Sequence, residues 1–400
     1  MRADSQAARR RSHPLHPKPD IPNPRDAIES VSRSRREFLR TVTGATSFGF
    51  SAKSARAAPR SPNRRVVVVT FGGGCRDEET FTLEGQVNIP HLLNELLPQA
   101  TFYTKVVNRG ILGHYVATAS LATGVYETFN NFASVPPEHP TVFEYFRKDL
   151  RRPAFDAWVV APSNGFNRIG GSGARSFGPE YAAGVILPKR FLKAALASSA
   201  TEDYERLLRD NYETPLFAPE VKGKDVPLHE FAEILKLSVE DFVKHALTLS
   251  SPDELSMYVA RQLMRHYAPS LLWITMHDID IAHSGSYSLY IEAIQRTDRL
   301  CSEIWRTIQS EPEYAGKTTL LILPDFGRDS DLSAGGNGFQ HHRTGDALSR
   351  TTWLMAMGPG IRENTVVDRP VESLDLAPTL GALFGFTPRM ARGKSLSELL

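Results

Sequence analysis

The sequence predicts an α/β protein with a mostly parallel central sheet, helices on both faces and a helical cap insertion. Residues 65–71 (RVVVVTF) form a continuous β-branched run, which is typical of a strand buried on both faces. Segments with helical periodicity, such as 289–309, alternate with further short apolar runs. Strands that alternate with helices favour a parallel sheet. The further predicted strands are 101–107, 157–160, 271–276, 318–323 and 353–357.

The predicted helices follow from their end signals. Thr141 and Glu144 have the spacing of a capping box, so a helix is expected from 142 to 148. Pro90 suits the first turn of a helix that runs to about residue 97. The remaining predicted helices are 118–121, 203–209, 229–247, 289–309 and 374–383.

Four parts of the chain differ in composition. Residues 1–57 are expected to form a disordered basic leader and a signal peptide, since this stretch is rich in Pro, Arg and Ser. Residues 58–162 and 269–400 are predicted to form the two halves of the α/β core. Residues 163–268, which combine a Gly-rich loop with charged amphipathic helices, are predicted to form the cap or insertion.

The charge of the chain is unevenly distributed. The formal net charge is +2, but residues 1–60 contain 13 Lys/Arg and 5 Asp/Glu, which leaves 34 against 40 for the rest. The body is therefore slightly acidic. Nucleic-acid binding requires clustered cations on the folded part, so no nucleic-acid partner is expected.

Residues 34–39 (SRREFL) resemble the twin-arginine export motif. A mildly apolar stretch at 41–52 and a small-residue site at Ala55 and Ala57 follow, in the order of a signal peptide. The apolar stretch is too short for a permanent transmembrane segment. The sequence thus predicts the twin-arginine export machinery as a partner and a periplasmic or secreted location; the alternative is a disordered basic tail.

Carboxylates and imidazoles stand directly after two predicted strands. Two further imidazoles lie in the loop that follows the second of these strands. The ends of strands in parallel sheets are where ligands bind. These residue types in that position are ligands for divalent metal, with zinc as the first expectation and manganese or calcium as alternatives. The predicted metal ligands are Asp278, Asp280 and His283 after the first strand, Asp325 after the second, and His341 and His342 in the loop.

A charged segment follows the triple glycine Gly72–Gly74 at the mouth of the first strand. Its side chains are candidates to bind an oxyanion, to bind metal and to act as a nucleophile. The alternative is a solvated charge run at the start of a helix. The residues are Arg76 for the oxyanion, Asp77 or Glu79 for metal, Thr80 as nucleophile, and, further along, His114 to orient substrate.

Several of these segments, in this order, resemble the alkaline phosphatase superfamily, in its sulfatase-like and phosphodiesterase-like branch. The motifs are 280–283 (DIAH), 320–327 (LLILPDFG), His341-His342, 357–361 (MGPGI) and 373–380 (SLDLAPTL). The resemblance implies two metal ions that flank a hydroxyl or formylglycine nucleophile. It implies a first metal site from Asp278 or Asp280, His283 and one of His341 and His342, with Asp325 in the second.

The sequence departs from the family pattern in its second half. Phe326 stands where the family has a ligand histidine, and Gly72 where the first strand delivers an aspartate. Residues 110–112 (GIL) lack the family's nucleophilic hydroxyl. The predicted function is a metal-dependent hydrolase of a small-molecule or lipid ester of phosphate or sulfate. The alternatives are a catalytically silent relative that acts in binding or assembly, and a phospho-group transferase.

Overall fold

A computed structural model describes Arg35 and residues 63–133, 135–196, 205–208 and 228–400. Apart from Arg35, the predicted leader 1–57 lies outside the described residues. The strands are β1 (Arg65–Phe71), β2 (Ala100–Val107), β3 (Ala157–Val160), β4 (Gly184–Ile186), β5 (Leu271–Met276), β6 (Thr318–Pro324), β7 (Thr351–Met357), β8 (Thr365–Val367) and β9 (Val371–Glu372). The helices are α1 (His114–Thr123), α2 (Val142–Asp149), α3 (Pro188–Ala195), α4 (Glu205–Leu208), α5 (Leu228–Leu235), α6 (Val239–Ala246), α7 (Pro252–Tyr267), α8 (Tyr287–Ser310), α9 (Asp331–Ala334) and α10 (Leu376–Phe384).

The nine described strands form one mixed sheet. Their order is β4-β3-β5-β1-β6-β7-β2-β8, with β9 beside β2. All pairs are parallel except those of β7, which is antiparallel to both β6 and β2. The predicted α/β class with a mostly parallel sheet is thereby confirmed.

The central strand β1 separates two apolar layers. Val67, Val69 and Phe71 point into one layer, and Val66 and Val68 into the other, as the two-residue period of a strand requires. Helices α7 and α8 cover the first layer, and α1, α2 and α10 cover the second. The continuous β-branched run of β1 is therefore explained by burial on both faces.

The register of the sheet fixes where the functional residues emerge. Phe71, the last residue of β1, pairs with Met276 of β5 and with Pro324 of β6. The three strands therefore end at one level, and the residues that follow β5 and β6 start from neighbouring points.

Two predicted helices differ from those observed. Residues 229–247 form α5 and α6, because Lys236 takes a left-handed conformation with φ of 53° and Ser238 caps the next helix. Residues 86–99 form short 3-10 and π turns instead of one α-helix. Pro98 lacks the N–H that would continue an α-helix there. The Thr141–Glu144 capping box is present as expected.

The division at 163–268 remains a prediction. Within that stretch, β4 joins the central sheet beside β3, and α7 packs against β5. Of the predicted helix 203–209, the structure describes α4. Among the described residues, no helix has the length and apolar character needed to cross a membrane.

Asp298 on α8 links this helix to the turn at residue 92. Its carboxylate accepts hydrogen bonds from the backbone N–H of His91 and Leu92, at 3.0 and 2.6 Å. Burial raises the pKa of Asp298 to about 6 from 3.8. The folded state therefore binds a proton that the unfolded state releases between these pH values, so this group's contribution to stability falls as the pH rises.

We expect the unfolding free energy of the wild type to fall, relative to Asp298→Asn, by up to roughly 3 kcal/mol between about pH 4 and pH 6. Urea titrations of both proteins across this range measure the difference. A constant difference would contradict the assignment.

Candidate metal centre

The carboxyl ends of β5 and β6 and the N-terminus of α1 meet at one place. A 3-10 turn from Asp278 to Ser284 follows β5 and presents Asp280 and His283. Asp325 follows β6, and its N–H donates to the carbonyl of Phe71 at 3.2 Å. His114 is the first residue of α1. The turn after β5, the end of β6 and the start of α1 thus bring these side chains together.

Asp280, His283 and His342 form a candidate metal-binding group. One ligand atom from each lies within 4.8 Å of the others. His283 Nε2 is 3.4 Å from Asp280 Oδ1 and 2.8 Å from His342 Nε2. The Nδ1 of His342 lies 3.0 Å from the carbonyl oxygen of Leu112, a contact that orients the ring. One carboxylate and two imidazoles are a donor set that fits zinc or a similar divalent ion.

Both imidazoles of this group are held neutral. Burial, aided by Arg328 and the neighbouring histidines, lowers the pKa of His283. Burial and the nearby His114 lower the pKa of His342 to about 3. A histidine must be neutral to bind metal, so the two rings are ready as ligands at neutral pH.

His114 lies between two carboxylates. Its Nε2 is 3.1 Å from Asp280 Oδ2, and its Nδ1 is 2.7 Å from Asp325 Oδ2. Burial alone would lower the pKa of His114, but Asp280 and Asp325 outweigh it and raise the pKa to about 10. An imidazolium therefore joins the two carboxylates at neutral pH.

Arg328 brings a second cation into the site. Its Nη2 is 2.9 Å from Asp280 Oδ1, and its side chain is fully buried. It also donates to the carbonyls of Gly74 and Phe339, at 3.2 and 2.9 Å. Burial would raise the pKa of Asp280, but His114 and His277 hold it well below its usual range. A metal on Asp280 Oδ1 would share this oxygen with Arg328.

Both carboxylate oxygens of Asp325 have partners within the protein, and its role as a metal ligand remains a prediction. Asp325 Oδ2 faces His114, and Oδ1 accepts from the N–H groups of Gly73 and Phe326, at 3.2 and 2.9 Å. The Phe326 ring is stacked on His114 with centroids 4.8 Å apart and packs with Leu112 and Ala117. Aromatic and aliphatic groups thus pack beside the His114–Asp325 pair.

The other predicted site residues have partners of their own. Thr80 donates to the carbonyl of Arg76 at 2.7 Å, and Arg76 is paired with Glu79 and Asp331. Glu79 also accepts from the Tyr290 hydroxyl at 3.1 Å. These contacts join the charged segment to itself and to Asp331 and Tyr290. The roles of Arg76, Glu79 and Thr80 in catalysis remain predictions.

The three remaining predicted ligands are not members of the Asp280–His283–His342 group. Asp278 accepts from Arg296 at 3.1 Å, and burial raises the pKa of its carboxyl. Asp77 is paired with Arg35 at 2.8 Å. His341 is adjacent to the candidate group, with its ring centroid 6.4 Å from that of His283.

Two residues of the site were not among the predicted ligands. His277 Nε2 is 3.4 Å from Asp280 Oδ2, and Arg328 binds the other oxygen. His277 stands directly after β5 and Arg328 three residues after Asp325, so proximity to a strand end was the available signal for both. Nothing in the sequence indicates that both would pair with the same carboxylate.

Solved structures with this arrangement of strands and helices have low sequence identity to the chain. Lipoteichoic acid synthase LtaP from Listeria monocytogenes aligns with a TM-score of 0.55 at 12% identity, over 93% of this chain and 81% of its own. Phosphonate monoester hydrolase SpPMH from Silicibacter pomeroyi aligns with a TM-score of 0.51 at 14% identity, over 83% and 76%. A Vibrio parahaemolyticus protein in the alkaline phosphatase superfamily aligns with a TM-score of 0.50 at 14% identity, over 92% and 79%. No family sequence model and no curated protein sequence matches the chain.

Proposed function

We propose, from the premise that this chain has the alkaline phosphatase superfamily fold, that it is a hydrolase of phosphate or sulfate esters that uses one divalent metal. The observation that carries the proposal is the convergence of Asp280, His283 and His342, whose ligand atoms lie within 4.8 Å of one another. Zinc is the proposed metal. When bound, such an ion polarises an ester oxygen and so favours attack on phosphorus or sulfur.

The protein's own residues would supply the remaining charge. His114 and Arg328 compensate the buried carboxylates of Asp280 and Asp325, and so keep the site close to neutral before substrate enters. Residues 110–112 carry no hydroxyl. We therefore expect water, and not a side chain near the family position, to attack the ester.

The test uses the purified full chain and two histidine variants. We expect His283→Ala to lose at least tenfold in zinc affinity, because one of three ligands is removed. The exposed His266 provides a matched control, and His266→Ala should leave affinity unchanged. Zinc titration calorimetry and hydrolysis of p-nitrophenyl phosphate and sulfate are the measurements. A wild-type chain that binds no metal and hydrolyses neither ester would contradict the proposal.

A catalytically silent binding protein is the second candidate. Phe326 stacked on His114, together with Leu112, favours it, because these groups replace half of a two-metal centre. Metal binding without turnover of phosphate, sulfate and phosphonate esters would distinguish it from the hydrolase. Product analysis with an added alcohol acceptor separates transfer from hydrolysis.

Export is a separate part of the proposal. The motif at 34–39 and the apolar stretch at 41–52 support delivery by the twin-arginine machinery to the periplasm or beyond. A small-molecule or lipid ester outside the cytoplasm is the substrate class that fits this location. Fractionation of cells that express the full chain, with and without a functional twin-arginine pathway, is the direct measurement.

A further inference from the structure

The described part of the chain contains a buried pocket that holds a guanidinium group. Its occupant is Arg35, which is 2% exposed. Arg35 Nε donates to Asp77 Oδ1 at 2.8 Å, and Nη1 donates to the carbonyls of Thr104 and Thr352, at 2.6 and 2.9 Å. One carboxylate and two carbonyls therefore surround a single cation.

An irregularity in the sheet supplies the carbonyls. The β2–β7 ladder shifts register between Tyr103 and Val106, and Thr104 lies within this interruption. A bulge leaves backbone groups outside the ladder, where a side chain can bind them. The Phe81 ring lies 5.7 Å from the guanidinium carbon, within the range of a cation–π contact. The acceptors and the ring come from three separate segments, namely the one after β1, β2 and β7.

Removing the cation from this pocket would lower the stability of the folded domain. Asp77 is 7% exposed, and Arg35 is its ion-pair partner. A buried carboxylate that loses its partner is strongly destabilising, since neither water nor a counter-charge replaces the lost interaction. Arg35 belongs to the motif at 34–39, far along the chain from β2 and β7. The contacts of Arg35 are therefore with residues far from it in the sequence.

We propose that the folded domain binds the side chain of Arg35 as an intramolecular ligand at the β2–β7 bulge. The same arginine would have to leave the pocket before another protein could bind it. Asp77 follows Gly72–Gly74, so the docked arginine also anchors the charged segment that borders the metal centre. This inference does not depend on ester hydrolysis.

The first test compares the two adjacent arginines in the full chain. Arg35→Ala and Arg36→Ala remove the same charge from the same motif, and the proposal assigns the pocket to Arg35 alone. We expect Arg35→Ala to lower the thermal midpoint clearly more than Arg36→Ala does. In an Asp77→Asn background, this difference should shrink, because the partner carboxylate is gone and only the two carbonyls and the Phe81 ring remain. Equal midpoints for the two single variants would overturn the proposal, and this comparison holds whether or not Asp77→Asn folds.

The second test measures access to Arg35 directly. Trypsin cleaves after an arginine that enters its specificity pocket, so a buried Arg35 must first undock. Cleavage after Arg35 should be roughly tenfold or more faster in native Asp77→Asn than in the native wild type. Mass spectrometry of early fragments gives both rates. Equal rates of cleavage after Arg35 in the two proteins would contradict docking.

Discussion

Asp280→Asn is expected to lower the free energy of unfolding by ~3–5 kcal/mol and to abolish metal binding. Asp280 is fully buried and faces His114, His277, His283 and Arg328. Asparagine preserves the shape of the side chain but removes the charge that compensates these basic groups. Guanidinium unfolding curves and zinc titration measure the two losses.

Asp278→Asn provides the matched control, two residues away. Burial raises the pKa of the Asp278 carboxyl, and the buried Asp253 nearby has a raised pKa as well. Removing a charge there relieves repulsion between two carboxyls but weakens the bonds of Asp278 to Arg296 and Ser251. We expect a change in stability within ~1 kcal/mol. A loss as large as that of Asp280→Asn would contradict the charge arrangement described for the site.

Restoring the family pattern is expected to damage this chain and not to create a second metal site. A Cβ at Gly72 would lie 2.6 Å from His277 Cδ2 and 3.0 Å from His114 Nδ1. Gly72→Asp therefore forces both rings to move, and overpacking of this kind costs ~1–3 kcal/mol before the buried charge is counted. The Phe326→His change in the same chain also removes the ring that stacks on His114.

The measurement is the number of metal ions per chain, together with the thermal midpoint. Gly345→Asp is the control, since a Cβ at Gly345 meets nothing within 4 Å and its substitution should be nearly neutral. We expect at most one zinc ion in the double variant and a lower midpoint than in the control. Two bound zinc ions per chain would contradict this prediction.

The sequence predicted most of the sheet because its strands are buried on both faces. The uninterrupted apolar runs of β1, β5 and β6 contain no competing helical period, so their type and position agree with the structure. The resemblance to the alkaline phosphatase superfamily is confirmed at the level of the fold. The helix predicted from 229 to 247 was wrong at its centre, because a left-handed residue such as Lys236 has no sequence signature.

The candidate site was predictable where residues follow strands and not where distant charges pair. Asp280 and His283 follow β5, whose parallel register with β1 and β6 ends the three strands at one level, and His342 lies in the loop between β6 and β7. The bonds of Arg328 to Asp280 and of Arg35 to Asp77 span 48 and 42 residues. Side-chain direction and burial decide such pairs, and neither can be derived from spacing. The pairing of Asp77 with Arg35 has no signal in the sequence either, and metal binding by Asp77 remains a prediction.

Helix α1, which begins with His114 of the site, is buried on all sides. All ten of its residues are buried, and Thr118 and Ser120 bond back to the carbonyls of His114 and Val116, at 2.7 and 2.8 Å. The helix that begins with His114 therefore has no solvent-facing side. Its amide hydrogens should be among the slowest of the chain to exchange with deuterium.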